Sequence, residues 1–294
     1  MACPRSLLTY NKVCNLEDFS HPELVGTIRD VFEHEIERFG DDFPAGRENR
    51  KDWEVAMAIR TFRDHGLLDG TREFLGVGAG NEATIFYLTR FARRVFATDL
   101  YLTEGEGWAE ADVSMITDPG RHWPFSWNPR RLVVQHMDAL DLRYEDETMD
   151  GAFSASSIEH FGDFDAVRRS ASEIFRVLKP GGILTLSTEL CIEGPSTRWD
   201  GGSGTLLMDP PAIYEHILGQ DDWDFVSPLD LYVSDATLAT EQDFVDASVA
   251  QQAQVAEAGG YFTFRIEHVK YPLIVLEAGQ YAWTSVHLAL RKRA

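Results

Sequence analysis

Four carboxylates, one histidine and two glycines are spaced along the middle of this chain so that together they could hold a ligand and move a proton. The stretch FLGVGAGNEATIFYLTRFARRVFATDLY runs from Phe74 to Tyr101. In it, Gly78-Ala79-Gly80-Asn81-Glu82-Ala83 fits G-x-G-x-x-[GA], and Asp99 follows Gly78 by 21 residues. Two glycines where a strand-like run becomes a helix-like run let the backbone turn sharply and approach a ligand, and an acid at that distance is placed for ribose hydroxyls. Taken literally, this is a dinucleotide fingerprint. Glu82 argues against a dinucleotide, because a pyrophosphate resting on the helix N-terminus would meet its carboxylate at a cost of about 1–4 kcal/mol at effective dielectrics of 20 to 80. S-adenosylmethionine, with its ammonium and sulfonium, would be tolerated or favoured there. Glu82 also has a purely local reading, as a favourable charge at a helix N-terminus. A dehydrogenase also lacks its chemistry here, since none of the nine tyrosines has a lysine four residues on.

The elements that must position these residues alternate from residue 72 onward. Strands are predicted at 73–77 (EFLGV), 94–98 (RVFAT), 132–137 (LVVQHM), 151–156 (GAFSAS), 182–188 (GILTLST) and 283–292 (WTSVHLALRK). Helices are predicted at 82–93 and 164–178, the second stopped by Lys179-Pro180-Gly181-Gly182. Two amphipathic helices precede the first strand: 22–40, and 52–65 with Trp53, Ala56, Ile59 and Phe62 on one face. Apolar strands alternating with helices imply an α/β, doubly wound, mostly parallel sheet, whose ligands bind at the carboxyl ends of the strands. Gly78, Asp99, Asp138, Ser156 and Glu189 all fall at such ends. Each has a local alternative too: Asp138 as a turn residue, Ser156 as a helix cap.

Read together, FLGVGAGNE, ATDLY, QHMDAL, GAFSASSIEHF and LKPGGILTLST resemble, in order and spacing, the motifs of class I S-adenosylmethionine-dependent methyltransferases, over roughly residues 50–192 and the last strand. The glycine loop departs from the usual form: Gly76 stands for a common acid and Glu82 for a third glycine. The resemblance implies a seven-stranded sheet with an antiparallel edge strand at 283–292. It divides the chain into an N-terminal helical cap (1–70) and a Rossmann-like methyltransferase domain (71–294). Insertions fall at 100–131, 193–210 and 234–280, the last with a helix at 241–258. It also implies that Gly78, Ala79, Gly80, Glu82, Asp99, Leu100, Asp138, Ala139 and Ser156 hold the cofactor, with Asp99 on the ribose and Asp138 on the adenine amino group.

Methyl transfer from a sulfonium needs a nucleophile held close and in line, and a base if that nucleophile is a hydroxyl. His160 is the candidate base by position and Glu189 a second base or an orienter. With a histidine as base, the rate should rise with pH through the ordinary histidine range. Tryptophans 108, 123, 127 and 199 in Gly-rich loops could stack on a planar ligand or pin the loops to the core. Phrases such as SSIEHFGDFDAVRR and STELCIEGP resemble enzymes acting on sugars of polysaccharides, which points to O-methylation of a small polar acceptor such as a saccharide. The readings from other classes are an NAD(P)-dependent oxidoreductase and a non-catalytic cofactor-binding relative. No H-x-H, H-E-x-x-H or C-x-x-C is present; strand-end carboxylates could hold Mg²⁺, but nothing in the spacing calls for it. Lys and Arg number 27 against 48 Asp and Glu, a net charge of -21 that repels nucleic acid and anionic lipid. Three dispersed cysteines and the lack of a long apolar run point to a cytoplasmic protein without membrane contact. A homo-oligomer is compatible with the sequence.

Overall fold

A computed structural model of the chain describes residues 8–103, 111–199, 204–219, 222–244 and 270–293, without the side chains of Arg198 and Trp199. The strands are β1 (Asn11–Val13), β2 (Glu73–Val77), β3 (Arg94–Asp99), β4 (Leu132–His136), β5 (Met149–Ala155), β6 (Leu178–Glu193), β7 (Thr197–Trp199), β8 (Thr205–Leu207), β9 (Trp223–Phe225), β10 (Leu229–Asp230), β11 (Gln242–Asp243), β12 (Leu276–Ala278) and β13 (Tyr281–Lys292). The principal sheet runs β10-β1-β13-β6-β5-β2-β3-β4. Its centre, β4-β3-β2-β5-β6, is parallel throughout, and β13 lies antiparallel to β6. The α/β fold with a mostly parallel sheet is as the sequence predicts. All the parallel strands therefore point their carboxyl ends the same way, toward one rim.

Several expectations change. Among the described residues the sheet has eleven strands rather than seven, and β13 is not its edge. The outer side of β13 is covered in succession by β12, β1 and β9, so that its polar Thr284, Ser285 and His287 are fully buried. Strands two or three residues long carry no periodicity, so nothing in the sequence marks them. The first seventy residues are likewise more than a helical cap, because β1 threads into the sheet between β10 and β13. Of the helix predicted at 241–258, residues 245–258 lie outside the described set, as does Trp108.

The helices are α1 (Pro22–Val31), α2 (Glu33–Phe39), α3 (Arg50–Asp64), α4 (Ala83–Leu88), α5 (Ser114–Thr117), α6 (Phe164–Val177), α7 (Pro210–Ile213) and α8 (Asp235–Leu238). The stretch 22–40 is broken at Phe32, and α4 is shorter than predicted, giving way to turns after Leu88. Asn49 caps α3 by accepting the Lys51 amide at 3.0 Å. Nearly every residue of α3 from Arg50 to Phe62 is buried, polar ones included. A helix buried all round needs partners for its charges, and its first turn finds them at the strand ends. The buried Lys12–Asp18 pair, to which Trp53 Nε1 donates at 2.9 Å, fixes β1 against α3. No helix among the described residues is long and apolar enough to cross a membrane.

Candidate functional site

At the carboxyl ends of β2 and β3 the glycine turn and the acid are joined directly. Gly78 and Gly80 have φ of +61° and +50°, in the left-handed region where L side chains are strained. The Gly80 amide donates to Asp99 Oδ2 at 2.9 Å and the Leu100 amide to Oδ1 at 2.7 Å. Each carboxylate oxygen keeps a lone pair that a ribose hydroxyl could use. Burial pushes the Asp99 carboxyl up, opposed by these two hydrogen bonds and by His136. Tyr101 donates to the Gly80 carbonyl at 2.6 Å, and Ser157 to the Gly78 carbonyl at 2.6 Å, so the turn is held from both sides.

The next strand end carries Asp138, exposed, its Oδ1 accepting the Leu140 amide at 2.9 Å in a turn of its own. Ala139 is buried beside Met137 and Leu142, while Leu100 is 45% exposed on the rim. The structure therefore lines up Gly80, Asp99, Leu100 and Asp138 along the rim at the carboxyl ends of β2, β3 and β4.

The other side is a buried charge cluster that sequence reasoning largely missed. Arg50 Nη1 lies 2.8 and 2.7 Å from the two oxygens of Glu189 and 2.8 Å from Ser285 Oγ. Ser285 hydrogen-bonds Glu54, and Ser156, at φ +45°, donates to Glu54 Oε2 at 2.8 Å rather than capping a helix. Lys51, half in solvent, stands 3.4 Å from Glu54 and 3.7 Å from Glu189. Burial alone would raise Glu189, but the charges of Arg50 and Lys51 outweigh it and hold its carboxyl below the usual range. Glu189 is thus a clamped anion, poorly suited to accept a proton.

His160 and Glu159 sit on the turn after β5. His160 Nε2 is 4.0 Å from Glu159 Oε1, while Thr188 Oγ1 donates to Glu159 Oε2 at 2.8 Å. Burial, only partly offset by Glu189, lowers the His160 imidazole to about 4. It is therefore neutral throughout the working range, so the rate increase expected through the ordinary histidine range shifts far to the acid side. Glu159, fully buried and beside Glu189, is pushed well above the usual carboxylate range.

No curated protein matches the chain in sequence. Residues 75–186 match the family model described as a methyltransferase domain. Over that stretch the chain is similar to a methyltransferase domain. The match opens in β2 and closes in β6, taking in the strand ends with Gly78, Asp99, Asp138 and Ser156 but neither Arg50 nor Glu189. Among solved structures, the YcgJ protein from Bacillus subtilis is similar at 15% identity and TM-score 0.51, covering 82% of this chain and 98% of that one. The [4+2]-cyclase SpnF gives 21% identity, TM-score 0.49 and coverage of 82% and 84%. Coclaurine N-methyltransferase, bound to N-methylheliamine and S-adenosylhomocysteine, gives 15%, 0.46 and coverage of 82% and 71%.

Packing accounts for one departure from the common glycine motif, Gly76. A Cβ on Gly76 would lie 2.6 Å from Phe153 Cζ, so the aromatic ring occupies the space that an acid would need. A Cβ on Gly78 would lie 2.7 Å from both Phe161 Cζ and Ser157 Cβ. At Gly78, then, the glycine makes room for the domain's own side chains. Of the tryptophans, Trp123 is buried and stacked on Phe86 at 5.7 Å, and Trp127 packs edge-on against the same ring, so both pin the 100–131 insertion to the core. Among the described residues, no group of three His, Cys, Asp or Glu is arranged to hold a metal ion.

Proposed function

We propose that this protein transfers the methyl group of S-adenosylmethionine to oxygen of a small polar acceptor, with a saccharide hydroxyl as the acceptor class the sequence favours. The observation that carries the reading is Asp99, held by the Gly80 and Leu100 amides at the end of β3 with both oxygens still able to accept. Gly78, Ala79, Gly80 and Glu82 would hold the amino-acid end of the cofactor, Asp99 and Leu100 the ribose, and Asp138 and Ala139 the base. Ser156 would border the reacting centre. When bound, the cofactor supplies an electrophilic methyl carbon on a positively charged sulfur.

The chain's own residues then have distinct tasks. Neutral His160 accepts the acceptor's proton at a ring nitrogen, and the Glu159 carboxyl 4.0 Å away supports the imidazolium as it forms. A histidine that titrates near 4 is a weak base, so positioning carries much of the rate. Clamped Glu189 orients the acceptor's polar groups rather than taking a proton. The test is release of S-adenosylhomocysteine over a panel of monosaccharides, oligosaccharides and non-sugar alcohols. Turnover on sugars supports the reading. Cofactor binding with no turnover across the panel favours a binding relative, and reduction of NAD(P)⁺ favours an oxidoreductase.

A further inference from the structure

The charged residues around this crevice do not balance. From α3 come Arg50, Lys51 and Glu54, and from β6 comes Glu189; the two cations and two anions are in mutual contact, with Ser156 and Ser285 completing the set. Beside this cluster, Glu82 and Glu159 are left over. Glu159 is fully buried; Thr188 satisfies one of its oxygens, but Oε1 makes no hydrogen bond and lies 4.0 Å from the neutral His160, with Lys51 the cation that acts on it and Glu189 opposing. Glu82 Oε2 is also buried without a hydrogen bond, within the fields of Glu54, Glu159 and Asp99. A buried carboxylate without a partner is strongly disfavoured as an ion. Both carboxyls are accordingly raised, by burial first and by neighbouring carboxylates second. Bringing a positive charge into the crevice would restore their ionisation.

We propose that Glu159, seconded by Glu82, is a counter-charge for the sulfonium, making the site select the positively charged cofactor over its neutral sulfide product. The inference rests on the methyltransferase reading above. S-adenosylmethionine carries an ammonium and a sulfonium; S-adenosylhomocysteine keeps only the ammonium. Two unpaired carboxyls match the first ligand's two cations and leave the second ligand one short. The consequence is a site that loosens when the methyl group leaves, so that product is released rather than retained.

Isothermal titration of the full chain with S-adenosylmethionine, S-adenosylhomocysteine and sinefungin, in which a protonated amine replaces the sulfonium, tests this. Both cationic ligands should bind at least about tenfold more tightly than S-adenosylhomocysteine. In buffers of different ionisation heat, they should release more protons than it does. Glu159→Gln keeps the volume and an acceptor for Thr188; it should retain S-adenosylhomocysteine affinity within about twofold while losing the preference. Equal affinities for the three ligands in the wild type, or a preference that survives Glu159→Gln, would overturn the proposal while leaving the methyltransferase reading intact. Failure of all three to bind would overturn both. Should the variant not fold, the three-ligand comparison in the wild type still decides.

Discussion

Asp99 is where sequence and structure meet most closely. Its spacing from Gly78 predicts that the acid and the glycine turn meet at the strand ends, because the strand-turn-helix-strand unit that places it is local and short. The structure adds that both its oxygens hold backbone amides of the rim. Asp99→Ala is therefore expected to weaken S-adenosylhomocysteine binding by about 1.5–3 kcal/mol, and also to lower unfolding free energy by about 1–2 kcal/mol as two amides lose their acceptor. Calorimetric titration and denaturant unfolding separate the two effects. His160→Ala is expected to lower turnover about 10²–10⁴-fold with cofactor affinity nearly intact. Between pH 6 and 9 the wild-type rate should show no ionisation from His160, whose imidazole lies near 4. A pH profile rising through the ordinary histidine range would contradict its burial. Glu159, by contrast, stands in the sequence motif SSIEHF beside His160, yet nothing there shows that it is fully buried with one oxygen unsatisfied. That property arises only when Thr188 and Glu189 are brought alongside by the β5–β6 pairing.

At the scale of elements, the parallel strands were legible because each is a contiguous apolar run covered on both faces, and α6 because its apolar stripe recurs with helical period. The first turn of α3 was legible as helix but not as part of the site. Arg50 and Glu54 reach Glu189 and Ser285 across 139 and 231 residues of sequence or more, and no local pattern encodes such a meeting. The same helix is anchored at its base by Lys12 and Asp18, a buried ion pair with the Trp53 indole as third partner. Breaking such a pair leaves an uncompensated charge in the interior, which commonly costs about 3–5 kcal/mol. Lys12→Ala is thus expected to lower the urea midpoint sharply and to loosen β1 from β13. Hydrogen exchange in Asn11–Val13 and in Ser285–His287 should rise together, whereas a change confined to the N-terminus would show that the ion pair does not hold β1 against β13.

Across the whole molecule, two sets of buried groups respond to pH in opposite senses. His160 and His287 both lie near 4 through burial, so the unfolded chain takes up protons before the folded one as pH falls from 6.5, and stability is lost toward acid. Glu82 and Glu159 are raised above 4.5, so their contribution is present at low pH and is lost as pH rises through their folded values. Above the histidine range Glu159, raised to about 8, still titrates. Thermal stability of the free protein should therefore decline between pH 6.5 and 8.5, and Glu159→Gln should flatten that decline; a rising curve would contradict the charge imbalance. The central claim, that the rim formed by Gly78–Gly80, Asp99 and Asp138 holds S-adenosylmethionine rather than a dinucleotide, is tested most directly by titrating wild type and Asp99→Ala with S-adenosylhomocysteine and with NAD⁺ side by side. Saturable binding of the sulfide, weakened about 10–150-fold by the substitution, and no binding of NAD⁺ are expected. Tight NAD⁺ binding with none of the sulfide would contradict it.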